Sequence, residues 1–152
     1  MPHRCSHVTH DTRSADAAQV EATQALRARV LVGLHAMVAL NAVGGGIYGL
    51  LGAPGVPVAW LQRTPFASYL VPSLILLVII GGSQAAAGVS IAARAPRSRS
   101  ASLTAGAVLL GWIGTQVALI GYVSWLQPAV AVAALSNLAL ASGLPDHRRI
   151  TV

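Results

Sequence analysis

The chain has no lysine, a single cysteine at Cys5 and only four carboxylates, and 9% of its 152 residues are charged. Soluble domains use roughly 25% charged residues, so an ordinary soluble fold is excluded. One cysteine cannot close an internal disulfide, which removes thiol relay chemistry within one chain. The scarcity of acids leaves no carboxylate pair and no Ser-His-Asp set. Phosphate-loop and dinucleotide fingerprints are also lacking, and with them the common enzyme classes. No cofactor is expected. Haem held between intramembrane histidines is disfavoured because only one apolar segment contains a histidine, His35.

What the chain does have is hydrophobicity, at 55% of residues and a mean hydropathy of +0.66. From Leu103 to Leu144 no charge occurs, a span well beyond the ~20 apolar residues that one bilayer crossing needs, so the run must cross, turn and return. The class read from this is all-α: a polytopic membrane protein, a bundle of four transmembrane helices with a cytoplasmic N-terminal helical extension. The net charge of +6 would suggest nucleic acid in a soluble protein, but here arginine has the alternative task of fixing orientation, and nucleic acid is set aside as a partner.

In chain order, residues 1–13 read as a disordered cytoplasmic tail containing His3, Cys5, His7 and His10, which match no established zinc spacing. Residues 14–29 are an Ala-rich helix former with Asp16 and Glu21 early and Arg27 and Arg29 late, as the helix dipole favours, and the helix should run unbroken into the membrane. The transmembrane domain occupies 30–144, with crossings at 30–51, 66–93, 103–122 and 126–144, followed by a polar cytoplasmic tail over 145–152. No secretory signal is expected ahead of the first crossing. Gly52 and Pro54 should end the first crossing. The connection that follows should lie on the membrane surface with Val56, Val58, Trp60 and Leu61 dipping inward. Thr64-Pro65 should start the second crossing and Pro72 should kink it. Ser124-Trp125-Leu126-Gln127 has the form of a capping box for the fourth.

Arginine sets the orientation. Arg4, Arg13, Arg27, Arg29, Arg94, Arg97, Arg99, Arg148 and Arg149 fall on one side and Arg63 alone on the other, so both termini should be cytoplasmic in a multi-pass protein of the inner membrane. Tyr48, Trp60, Phe66, Tyr69, Tyr122 and Trp125 map to the opposite face, as an interfacial aromatic belt would. The basic Arg94–Ser100 loop should attract anionic headgroups, which makes membrane lipids the first partners.

Six residues stand out as facing a ligand or a partner: His35, Asn41, Gln84, Trp112, Gln116 and Asn137. Polar side chains at depth in hydrocarbon need partners, and interhelical hydrogen bonds are the ordinary solution. A polar ligand path is the other. His35 lies ~7.5 Å inside the cytoplasmic end at 1.5 Å per residue, within reach of interfacial water. Gly45/Gly49, Ala42/Gly46, Gly82/Ala86, Ala107/Gly111 and Gly114/Ala118 follow the small-xxx-small pattern that lets helices approach closely.

The segments TPFASYLVPSLILLVIIGGS and GWIGTQVALIGYVSWLQP resemble those of a group of small four-helix bacterial membrane proteins. That group shows P-F-x-x-Y-x-x-P and G-W-I-x-x-Q elements, the latter leading to I-G-Y-x-S-x-L-Q-P; the likeness covers roughly residues 33–144 and implies no activity. By helix count the chain is also similar to DoxX-like proteins, which implies a redox-associated role. The function expected is non-enzymatic, an accessory or assembly subunit acting through helix contacts with another membrane protein or a second copy. The alternatives are a small oligomeric transporter or channel for an uncharged or lipid-like ligand, lined by Asn41, Gln84, Gln116 and Asn137, and the DoxX-like redox role.

Overall fold

The computed structural model describes residues 6–145, with side chains from residue 14 onward. The terminal His/Cys set and the arginines at positions 4, 13, 148 and 149 therefore lie outside the described side chains. Among the described residues every regular element is helical. α1 runs over Ser6–Leu50, a 3₁₀ helix over Val58–Arg63, α2 over Leu70–Leu74, a π-helical stretch over Ile75–Gly81, α3 over Gly82–Ala92, α4 over Ser98–Ile120 and α5 over Leu126–Ser142. α2, the π stretch and α3 form one continuous helical rod, since Ile75, Gly81 and Gly82 all keep right-handed helical angles.

Among the described residues three helical spans are long and apolar enough to cross a membrane: Ser14–Leu50, Leu70–Ala92 and Ser98–Ile120. The outside is apolar as well, with Leu40 73%, Val89 68% and Val132 63% exposed. Both observations are compatible with a membrane protein. α5 is the shorter fourth helix at 17 residues, or ~25 Å at 1.5 Å per residue against a ~30 Å hydrocarbon layer.

α1 passes without interruption from its Ala-rich start into the apolar span. Its first turns reach back to Ser6, into the stretch read as a polar tail, because nothing between Ser6 and Ser14 breaks a helix. At the other end Gly52 adopts φ +90°, closing the helix as a left-handed residue must. Pro72 does not act as a mid-helix kink. The helix starts at Leu70 rather than behind Pro65, so Pro72 falls in its first turn, where a missing donor costs nothing. Thr64 caps a turn instead: its hydroxyl donates to the Leu61 carbonyl at 2.8 Å and accepts from the Phe66 N–H at 3.3 Å.

Only the glutamine half of the expected capping box is made, because the helix begins with Trp125 as its N-cap and the Gln127 N–H goes to the Ser124 carbonyl. Gln127 Oε1 accepts from the backbone N–H groups of Val123 and Ser124 at 2.9 and 3.3 Å, and its amide donates to the Gly121 carbonyl at 3.0 Å. Ser124 Oγ takes the Leu126 N–H at 3.2 Å. One buried glutamine thereby ties together the turn between α4 and α5.

α1 packs along the whole α2–α3 rod and α4 along α5; α3 contacts α4, and α5 contacts α1. Buried positions recur every three or four residues, as on α1 with Leu31, His35, Val38, Ala42, Gly46 and Gly49. A cluster of Leu31, Ile91 and Leu144 closes the arginine-rich end, and one of Val38, Ala42, Ile80, Leu109, Ala133 and Ala134 lies further along. Arg27 donates to the Gly143 carbonyl at 2.5 Å, placing a cation on the last carbonyls of α5 where the dipole favours it.

α1 approaches closely where α2 passes into the π stretch. A π turn is wider than an α turn, and the neighbour must be thin to accommodate it. A Cβ on Gly46 would stand 2.8 Å from Leu77 Cβ and 3.1 Å from the Ser73 carbonyl, and one on Gly49 would strike the Ser73 side chain. Around Gly111 and Gly114 there is no such neighbour. Gly46→Val should therefore cost about 1–3 kcal/mol by overpacking. Gly111→Ala should be neutral or stabilising by up to ~1 kcal/mol through helix propensity. Unfolding titrations in mixed micelles will measure both; equal effects would refute the close approach.

Candidate functional site

The six sequence-selected residues separate into two groups at different depths. His35, Gln84 and Asn137 meet in a fully buried cluster, each 0% exposed, together with Ser102, also 0% exposed. Asn41, Trp112 and Gln116 lie at the aromatic end, around cavities.

The cluster takes one polar side chain from each of α1, α3, α4 and α5. His35 sits where Leu31 and Val38 lie on the same inward face, and Gly88 on α3 makes room for it: a Cβ there would approach His35 Cβ at 3.3 Å. Gly106 on α4 does the same for α5, with Asn137 Cβ 3.4 Å from the position its own Cβ would take. The Gln84 amide nitrogen donates to the Ala105 carbonyl at 3.1 Å, which fixes Oε1 as the atom facing His35. Oε1 accepts from the ring Nδ1–H at 2.6 Å and from Asn137 Nδ2 at 3.3 Å. With Nδ1 carrying the proton, the neutral ring presents Nε2 as an acceptor, and the Ser102 hydroxyl donates to it at 2.6 Å. His35 does not snorkel to the interface; both of its nitrogens are used inside. Asn137 Oδ1 is left buried without a partner.

None of these four residues lines either of the two cavities at the aromatic end, and with their polar atoms turned on one another the cluster works as a lock between helices. Ser102 was missed at the level of sequence because it follows directly on the RAPRSRS loop and reads as a helix-start residue. Its signal was depth: it lies one turn inside Arg99, as far from the arginine-rich end as His35.

At the other end the helices separate. Two adjoining cavities of about 240 and 350 Å³ share Gly45, Val56, Trp60, Tyr69, Trp112 and Gln116 among their walls. The first reaches between α2 and α4 under the 3₁₀ helix, and the second between α1, α4 and α5, where it includes Asn41. Tyr69, just ahead of the Leu70–Ala92 span, donates to the Pro57 carbonyl at 2.7 Å, and the Tyr48 hydroxyl donates to the Pro54 carbonyl. These two bonds pin the loop that covers the cavities. Leu61 is buried beneath it, whereas Val58, expected to dip inward, is 65% exposed. Asn41 and Gln116 make no hydrogen bond to any described residue. The four amides Asn41, Gln84, Gln116 and Asn137 thus do not line one shared passage: two pair with each other and two face the cavities.

No family model matches the chain, and no match is found among curated proteins or solved structures.

Gln84→Leu should destabilise the protein by about 1–3 kcal/mol, because it leaves the His35 Nδ1–H and the Asn137 amide buried without an acceptor. Asn137→Leu should be neutral or stabilising, because it removes a weak bond together with an unpartnered oxygen and leaves Gln84 still bonded to His35. Thermal unfolding of the two purified variants distinguishes them, and a larger loss for Asn137→Leu would contradict this assignment of the network.

Proposed function

We propose that the chain is a four-helix bundle of the inner membrane, with α5 crossing beside the other three helices and both termini cytoplasmic. In this reading it has no catalytic chemistry of its own and serves as an accessory or assembly subunit. The nine-to-one division of arginine supports the orientation. The reading rests on the outward face of α4: Ala107, Gly111, Gly114 and Ala118 are all exposed, and a Cβ on Gly111 or Gly114 would meet no atom within 4 Å. Gly45, Gly46 and Gly49 of α1 are taken up by packing within the chain, whereas these four residues of α4 are not. In lipid, where apolar burial gives little drive for association, such a face lets a second helix approach until backbones touch. The partner is another membrane protein or a second copy of this chain. A second reading, a small carrier for an uncharged or lipid-like ligand, is favoured by the cavities at the aromatic end.

Purification in mild detergent should yield a complex or a dimer. Gly111→Leu combined with Gly114→Leu should abolish the association and leave the unfolding midpoint of the single chain unchanged. A wild-type protein that runs as a lone monomer with nothing co-purifying would end the subunit reading.

A further inference from the structure

We infer that the two adjoining cavities at the aromatic end form one binding chamber for an uncharged, lipid-soluble ring compound that carries a hydrogen-bond acceptor. Four observations converge on that chemistry. No Arg, Asp, Glu or His lines either cavity, so a phosphate or carboxylate placed there would be desolvated without a counter-charge, at a cost that excludes ionic headgroups. Asn41 and Gln116 line the larger cavity with no hydrogen-bond partner among the described residues. Two unpaired amides beside hydrocarbon are costly unless something occupies them, and an acceptor on the ligand would take their N–H groups.

The walls shared by both cavities carry the rings of Trp60, Tyr69 and Trp112, which suit a flat aromatic body through stacked and edge contacts. Volumes of about 240 and 350 Å³ approach the ~300–1,000 Å³ of small-molecule sites. The chamber is also built to persist, since the Tyr48 and Tyr69 hydroxyls hold its covering loop to the chain at Pro54 and Pro57. It is independent of the outward face of α4, so it stands or falls apart from the subunit reading.

The test uses the full chain in lipid nanodiscs with Trp125, 71% exposed, changed to Phe, so that the tryptophan signal comes from Trp60 and Trp112. Acetylnaphthalene serves as the neutral probe and naphthoate as its charged counterpart of nearly the same shape. Acetylnaphthalene should quench the tryptophan emission saturably and naphthoate should not. Gln116→Leu should weaken binding roughly tenfold, the equivalent of about 1.4 kcal/mol. Asn41→Leu, at an exposed position that leaves packing untouched, should weaken it in the same direction. Leu76→Phe, at a wall residue common to both cavities, should narrow them and weaken saturable quenching. Quenching that rises linearly with probe as simple partitioning does, equal binding of naphthoate, or binding unchanged in both leucine variants would overturn the assignment.

Discussion

The imidazole of His35, held between Gln84 and Ser102, is the interaction on which the arrangement of the helices depends. Helices this apolar have little reason to choose one neighbour over another in a lipid solvent, since a leucine is as content against an acyl chain as against another leucine. A hydrogen bond that must be made, between groups with no water to fall back on, supplies the missing direction. His35 contributes a donor and an acceptor on opposite sides of one ring, and it can satisfy both only if α3 and α4 present Gln84 and Ser102 to α1 at one particular depth. Gln84 extends the constraint by anchoring its own amide on the α4 backbone at Ala105 and by accepting from Asn137 on α5. Four helices are registered by one cluster.

Small residues do the complementary work of letting the helices come close enough for these bonds to form. Gly88 opens the space that His35 fills, Gly106 that of Leu138 and Asn137, and Gly46 and Gly49 let α1 lie against Ser73 and Leu77, where α2 passes into the π stretch. Net stabilisation from each membrane hydrogen bond is modest, averaging ~0.6 kcal/mol. The cluster therefore acts mainly by excluding alternatives: a rotated α1 would bury an imidazole against hydrocarbon with neither nitrogen satisfied, which costs more than the native bonds contribute.

The helices were legible in the sequence because length, apolar runs and Gly/Pro punctuation are local signals. Gly52 was read correctly for that reason, and so was the glutamine half of the Ser124–Gln127 box. Pro72 was misplaced because a proline in a first turn and a proline at a kink look alike until the start of the helix is known, and Thr64-Pro65 offered an earlier start that the chain uses for a turn. Which face turns inward was not legible. In α4 and α5 the inner and outer faces are nearly equally apolar, so no amphipathic stripe distinguishes Leu109 from Val117. The usable signal was instead polar and small residues at matched depth, which finds His35, Gln84 and Asn137 but hides Ser102 behind the adjacent basic loop.

Asn41 and Gln116 show why the same residue types end differently along one set of helices. Gln84 and Asn137 sit where α3 meets α4 and α5 meets α1, joined through the short connection from Ala92 to Ser98, and each finds a partner. Asn41 and Gln116 sit toward the end where α1 and α2 are joined by the long segment from Leu51 to Tyr69. That segment carries its own 3₁₀ helix, and the 3₁₀ helix packs on α4 where α2 would otherwise do so. It acts as a wedge: by occupying α4 it holds the two helix pairs apart, and the polar side chains that would have met across the gap face open space. The length of one connection, rather than any property of the amides themselves, separates a locked end from a hollow one.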